Sequence, residues 1–252
     1  MSIAARASEL SEIAPLRELY REEMNCQIIH DSIHCRTGWT REFALELDDT
    51  LVGYGSVAVG GPWRDRPALY EFFVNREHRM RIFELFTTLM EACGAKIIET
   101  QSNARMLPVM LHAFTRNVRS EAILFEEGFQ TSLQPEGAGF RATNAEDAEV
   151  LRRLELDDSA EWVVTVNGEI AGAGGVLYHY NRPYGDVYMK VAEPFRRRGV
   201  GAYLVQQLKA VCRAGGSVPA ARCNVNNLPS RMTLQKSGFV PCGILIAGDL
   251  DG

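Results

Sequence analysis

One arrangement of residues occurs twice in this chain, and that repeat constrains the fold more than any other feature. Phe43 to Val57 reads as two strands of alternating polarity around a turn, centred on Leu47-Asp48-Asp49-Thr50-Leu51-Val52-Gly53-Tyr54-Gly55. Val166-Asn167-Gly168-Glu169-Ile170-Ala171-Gly172-Ala173-Gly174 repeats the pattern. Its Asn-Gly pair is a strong tight-hairpin signal, because both residues accept positive φ. Tyr70-Glu71-Phe72-Phe73-Val74 then parallels Val187-Tyr188-Met189-Lys190-Val191. Each is a strand candidate that leads through an arginine-containing turn into a helix. The helices are Ile82 to Cys93 and Gly201 to Arg213, and in the second Tyr203, Leu204, Leu208, Val211 and Cys212 recur at helical spacing. A third match sets Asn117, Ser120, Leu124, Glu126, Gly128 and Phe129 beside Asn227, Ser230, Leu234, Lys236, Gly238 and Phe239 at identical offsets. Both stretches read as a short helix ended by a glycine cap, with a strand opening on Phe. Three matches in one order predict a duplicated fold, joined through the Pro/Gly-rich stretch Gln134 to Phe140.

Composition sets the outer limits. With 46% apolar and 23% charged residues the chain reads as a globular protein with a real core. A formal charge of −5 argues against broad phosphate neutralisation, so no nucleic-acid partner is expected. Six cysteines without paired spacing predict a reducing, cytoplasmic setting. No apolar run approaches the roughly 20 residues that span a bilayer, and the opening Met-Ser-Ile-Ala-Ala-Arg lacks a signal peptide's apolar stretch. No membrane partner is therefore expected.

The chemistry concentrates in Val191-Ala192-Glu193-Pro194-Phe195-Arg196-Arg197-Arg198-Gly199-Val200-Gly201. Gly199 and Gly201 let backbone approach a ligand without Cβ atoms in the way. The helix beginning there offers unpaired amides and the positive end of its dipole, an anion site that three arginines reinforce. A phosphate or pyrophosphate is the natural occupant. A Rossmann site would need a third glycine where Leu204 stands, and no Gly-Lys-Ser/Thr triplet of a P-loop occurs.

Arg196-x-x-Gly199-x-Gly201, preceded by the strand-ending Val191 to Pro194, resembles motif A of the GNAT acetyltransferase superfamily. Asn227, Ser230, Lys236, Gly238 and Phe239 resemble its second signature, and the likeness covers roughly Phe140 to Gly252. The resemblance implies an α/β protein with mixed sheets, built from two tandem GNAT-like acyl-CoA N-acyltransferase folds. Residues 1–137 would form a degenerate copy and 138–252 the copy that binds acetyl-CoA. The implied activity is acetyl transfer to a primary amine by direct attack in a ternary complex, without a covalent enzyme intermediate or a metal.

By the same resemblance, pyrophosphate would sit on the amides of Arg197, Arg198, Gly199, Val200, Gly201 and Ala202, beside Arg196. Pantetheine would pair with the strand Met189 to Val191, and Asn227 and Ser230 would line the far side of the cofactor. The family's usual tyrosine acid, seven residues after the motif asparagine, is Leu234 here. Asp186 is expected as the base, with Tyr188 as helper on the same strand face, whereas Glu193 is expected at the surface. Asp157, Asp158 and Glu161 lie where the family contacts its acceptor. That acceptor is a small-molecule amine or a peptide N-terminus, and the protein is a monomer or homodimer. A CoA-binding regulatory protein is the alternative, kept open by Leu234.

In the first copy the equivalent turn, Arg76 to Glu84, has Ile82 and Glu84 where the glycines would be, so no CoA binding is expected there. Cys26, His30 and His34 would share one face of a helix, with Cys35 adjacent. The four-ligand spacing of structural zinc is missing, and ordinary buried or pocket-lining residues are the favoured reading.

Overall fold

The computed structural model describes residues 2–250. They form two compact units, one comprising described residues up to Ala122 together with those from Gly243, the other Ile123–Cys242. The chain runs twice through the same succession of elements. The first pass is β1 (Ile3–Ser8), α1 (Leu10–Met24), β2 (Thr40–Leu47), β3 (Thr50–Ala58), β4 (Ala68–Val74), α2 (Ile82–Cys93), β5 (Ile97–Gln101), α3 (Leu107–Phe114) and β6 (Thr115–Glu127). The second is β7 (Ala138–Ala142), α4 (Asp147–Arg153), β8 (Trp162–Val166), β9 (Glu169–Leu177), β10 (Tyr184–Val191), α5 (Val200–Ala214), β11 (Val218–Asn224), α6 (Leu228–Lys236) and β12 (Phe239–Leu250).

Both hairpins form where the turn residues allow them. Asp48 and Asp49 take φ 46° and 62°, Asn167 and Gly168 take 51° and 86°, the sense that matches strand twist. A bulge recurs at the same place in each hairpin, leaving Val52 and Ala171 without a cross-strand partner. The following glycine is forced in both copies. A Cβ on Gly53 would lie 2.4 Å from the Phe73 carbonyl oxygen, and one on Gly172 would lie 2.9 Å from that of Lys190. Sheets in both units are mixed: β1 to β4 and β7 to β10 run antiparallel, while β4 pairs parallel with β5 and β10 parallel with β11. Leu85, Phe86, Leu89 and Cys93 of α2 pack into the first core, and Tyr203, Leu204, Leu208 and Cys212 of α5 into the second.

The third sequence match does not survive. Asn117 and Ser120 lie on strand β6, while Asn227 caps helix α6. Phe129 is 68% exposed and Phe239 is 2% exposed. Gly128 and Gly238 are not counterparts but partners, since the Gly128 and Phe129 amides both donate to the Gly238 carbonyl. The corresponding helices are α3 and α6, each of which opens on Leu-Pro at Leu107 and Leu228. Proline suits that first turn, where its missing N–H has no partner to lose. The separation of copies grows from 117 at Val74/Val191 to 121 at Leu107/Leu228, and the 110 of Asn117/Asn227 never fitted it.

The expected boundary at 137/138 also differs from the observed division. Residues 123–127 of β6 belong to the second unit, and 243–250 of β12 to the first, where Leu245 to Asp249 pair antiparallel with β5. Each unit is completed by a strand that starts in the other. Cys26, His30 and His34 do not share one helix. Helix α1 ends at Met24 with Asn25 in the left-handed region, and Asp31–Cys35 is a short 3-10 turn. No group of three or more metal-type ligands occurs among the described residues.

Candidate acyl-transfer site

The site begins where two parallel strands part. Strands β10 and β11 pair from Tyr184/Val218 to Asp186/Ala220 and no further. Beyond Asp186, residues 187–191 keep β9 as their strand partner, so the β11-side edge of β10 is left open. A cleft of about 460 Å³ occupies this opening. Val187, Met189, Val205, Ser230 and Leu234 line it, together with Asp157, Ser159, His179, Asp186, Tyr188 and Arg222.

The phosphate loop stands at the end of the same strand. Gly199 caps α5 at φ 81°, a conformation a side chain resists, and Arg197 is also left-handed at 62°. Tyr203 N–H donates to the Gly199 carbonyl, so the amides of Val200, Gly201 and Ala202 are the helix's first, unpaired donors. Gly201 is held closely: a Cβ there would lie 3.2 Å from Thr233 and 3.3 Å from Val191. Arg196, Arg197 and Arg198 are exposed, with Arg196 Nε donating to the Val191 carbonyl and Arg198 lying over the Phe195 ring. Positive charge and free amides thus converge beside the open strand. Glu193 is at the surface, as expected.

Asp186 and Tyr188 both line the cleft. Tyr188 is hydrogen-bonded to Asp157, and burial followed by the Asp157 charge pushes its hydroxyl up to about 12. The phenol therefore keeps its proton through the physiological range. Its ring lies against Gly175, where a Cβ would sit 3.0 Å from the ring edge. Asn227 is spent differently from the expectation, since its side-chain oxygen accepts from the Ser230 amide as the cap of α6. Ser230 does face the cleft. Leu234, at the position of the family's tyrosine, is 4% exposed and packs in the core while forming one wall.

The sequence reading missed His179. Its Nε2 lies 2.9 Å from Asp186 Oδ2, and its ring stands edge-on to Tyr180 at 4.8 Å. Burial pushes the Tyr180 hydroxyl well above its ordinary value, reinforced by the Asp186 charge. The only sequence signal for His179 was a histidine in the loop between the hairpin and the site strand, seven residues before Asp186.

The first unit closes the equivalent place. Strands β4 and β5 pair at Ala68/Ile97 and Leu69/Ile98 and then part. The cavity lined there by Tyr20, Met24, Phe72, Phe73, Met106 and Leu107 holds about 10 Å³. Glu71 stands where the second copy has Tyr188, fully buried, and is bonded by Arg17, Tyr54 and His34. At the helix start Arg81, not Ile82, is the cap, and it pairs with Glu84 at 2.7 Å. No glycine stands at this helix start, and the Ile82 amide is spent on the Arg79 carbonyl.

A splayed parallel pair followed by a glycine-capped helix matches the GNAT-like fold that the sequence resemblance implies. Residues 125–239 match the model of the Acetyltransferase (GNAT) family. Similar solved structures span the whole chain. A GNAT-family acetyltransferase from Colwellia psychrerythraea aligns with TM-score 0.76 at 13% identity, covering 100% of both chains. A tandem GNAT protein from the clavulanic acid biosynthesis pathway gives 0.63 at 13%, covering 100% of this chain and 99% of its own. A GCN5-related N-acetyltransferase from Sphaerobacter thermophilus gives 0.59 at 15%, covering 99% and 96%. No curated protein matches the sequence at a significant level. The family match supports acyl transfer in general. No helix among the described residues is long and apolar enough to cross a membrane.

Proposed function

We propose that the second unit transfers an acetyl group from acetyl-CoA to a primary amine, by direct attack in a ternary complex. The observation that carries this reading is the open edge of residues 187–191, with a cleft of about 460 Å³ beside it and the Gly199 helix cap at its end. The amides of Arg197 to Ala202 and the arginines Arg196 to Arg198 would hold the pyrophosphate. The strand edge from Met189 to Val191 would take the pantetheine, with Ser230 on the opposite wall. When bound, acetyl-CoA supplies the thioester. This chain supplies orientation and water exclusion, worth several kcal/mol of barrier, and hydrogen-bonding groups at Asp186 and Tyr188. The acceptor is a small amine or a peptide N-terminus that enters past Asp157 and Ser159. The first unit, with its filled opening, would not bind CoA.

The test is release of free thiol from acetyl-CoA across amino acids, polyamines, aminoglycosides and short peptides, with acetyl-CoA binding measured in parallel. Turnover on at least one amine is expected. Leu234 favours a second reading, since the usual acid is replaced by a buried aliphatic side chain. In that reading the protein binds CoA and signals it. Binding without thiol release on any amine would establish the sensor and end the transferase reading.

A further inference from the structure

We propose that His179 is the base that takes the proton from the acceptor amine, and that Asp186 is its positioning residue rather than the base itself. The inference rests on the transferase reading above. Asp186 is the last residue of β10 that pairs with β11, so its backbone is fixed on both sides. Its side chain is 8% exposed and its Oδ2 is engaged by His179 Nε2 at 2.9 Å. A carboxylate so placed is poorly reached by a substrate. His179, 31% exposed in the same cleft, is reached readily. With Nε2–H donated to Asp186, the tautomer is set and Nδ1 carries the lone pair. Nδ1 has no hydrogen-bond partner among the described residues. A histidine held by a buried carboxylate through one nitrogen, with the other free, is a general-base arrangement.

The proton balance closes. An ammonium R–NH3+ gives one proton to His179 Nδ1, and the neutral amine attacks the thioester carbon. The N–C bond forms and the C–S bond breaks. The nitrogen's second proton leaves as the adduct collapses, and the thiolate takes one up, giving amide, CoA thiol and one proton released to solvent. The other titratable groups around the cleft are Tyr188 on β10, Asp157 before β8, Arg222 on β11 and Tyr180 beside the imidazole. Tyr188 is bonded to Asp157 and holds its proton. The Arg222 guanidinium only donates and cannot take up a proton. The Asp157 carboxylate accepts from the Ser159 hydroxyl and amide and from Tyr188, which hold it below its usual range as a poor base, so His179 is left as the acceptor.

The experiment compares wild type, His179→Gln, Asp186→Asn and Asp186→Glu on an amine that the wild type turns over, with acetyl-CoA protection against thermal unfolding as the control for folding and cofactor binding. For His179→Gln, kcat/KM for the amine is expected to fall about 100-fold while acetyl-CoA protection and its KM stay unchanged. The lost rate should return as pH rises, because the amine then arrives neutral. Asp186→Asn should lose less, and Asp186→Glu, which can still accept from Nε2–H, should recover most of that loss. Full activity of His179→Gln, or an Asp186→Glu variant no more active than Asp186→Asn, would overturn the proposal and leave the transferase reading intact. Absence of wild-type turnover on every amine would overturn both.

Discussion

Single residues decide whether the loop can receive a phosphate. Gly199 sits at φ 81° with its nearest potential contacts 3.8 Å away, so space is available and backbone strain is the obstacle. A side chain at that φ costs roughly 1–2 kcal/mol, and a carboxylate there also opposes the phosphate. Gly199→Glu is therefore expected to abolish thermal protection by acetyl-CoA, whereas Ile82→Glu in the first copy should leave it unchanged; differential scanning fluorimetry reads both. Unchanged protection in Gly199→Glu would remove the loop from the site. The glycines were legible in the sequence because a missing Cβ is a local property. His179 was not, since its role depends on a partner that only the folded strand brings to 2.9 Å.

At the level of elements, a buried ion cluster fixes α1 and the Asp31–Cys35 turn onto β4 in the first unit. Arg17 from α1 and His34 from the turn both hold Glu71, and His34 also meets Glu42. Burial alone would push the His34 imidazole down, but the Glu71 charge and the bonds from Glu42 and Glu71 outweigh it and raise it to about 9. Burial likewise opposes the Glu71 charge, yet Arg17 and His34 hold its carboxyl well below the usual range. His34 is raised above its unfolded value near 6.5, so its contribution is complete below that pH and is lost as pH climbs through about 9. A shift of that size corresponds to about 3 kcal/mol. The first unit's melting temperature is expected to fall between pH 6.5 and 9.5, and His34→Gln should be less stable with a flatter slope. An unchanged slope would show that the cluster does not tune stability. The hairpins and the strands at residues 70–74 and 187–191 were legible from alternation and turn residues. The last helix and strand of the first copy were not. Offsets alone matched Asn117 to Asn227, while the physical marker, a Leu-Pro helix start, lay ten residues earlier.

For the molecule as a whole, the exchange of terminal strands determines which pieces are self-sufficient. A fragment of residues 138–252 omits 123–127, which belong to the second unit, and carries 243–250, which belong to the first. It is expected to unfold without a cooperative transition by circular dichroism, whereas a fragment extended to begin at 115 should recover one. A sharp transition in the shorter piece would show β6 to be dispensable. Composition and repeat together predicted two copies, but which copy each last strand completes depends on pairing between distant residues, and no local pattern encodes it.

That exchange also bears on the timing of biosynthesis. Strand β5 waits for residues 245–249 as its antiparallel partner, and these are translated after every other described element. While the ribosome works through the second copy, the first presents an open sheet edge, the surface on which strands of other chains add. A message truncated before codon 243 would release a protein whose loop and cleft are encoded in full, yet whose first unit remains unfinished. Its damage would be measured in aggregates and chaperone load rather than in a missing active-site residue.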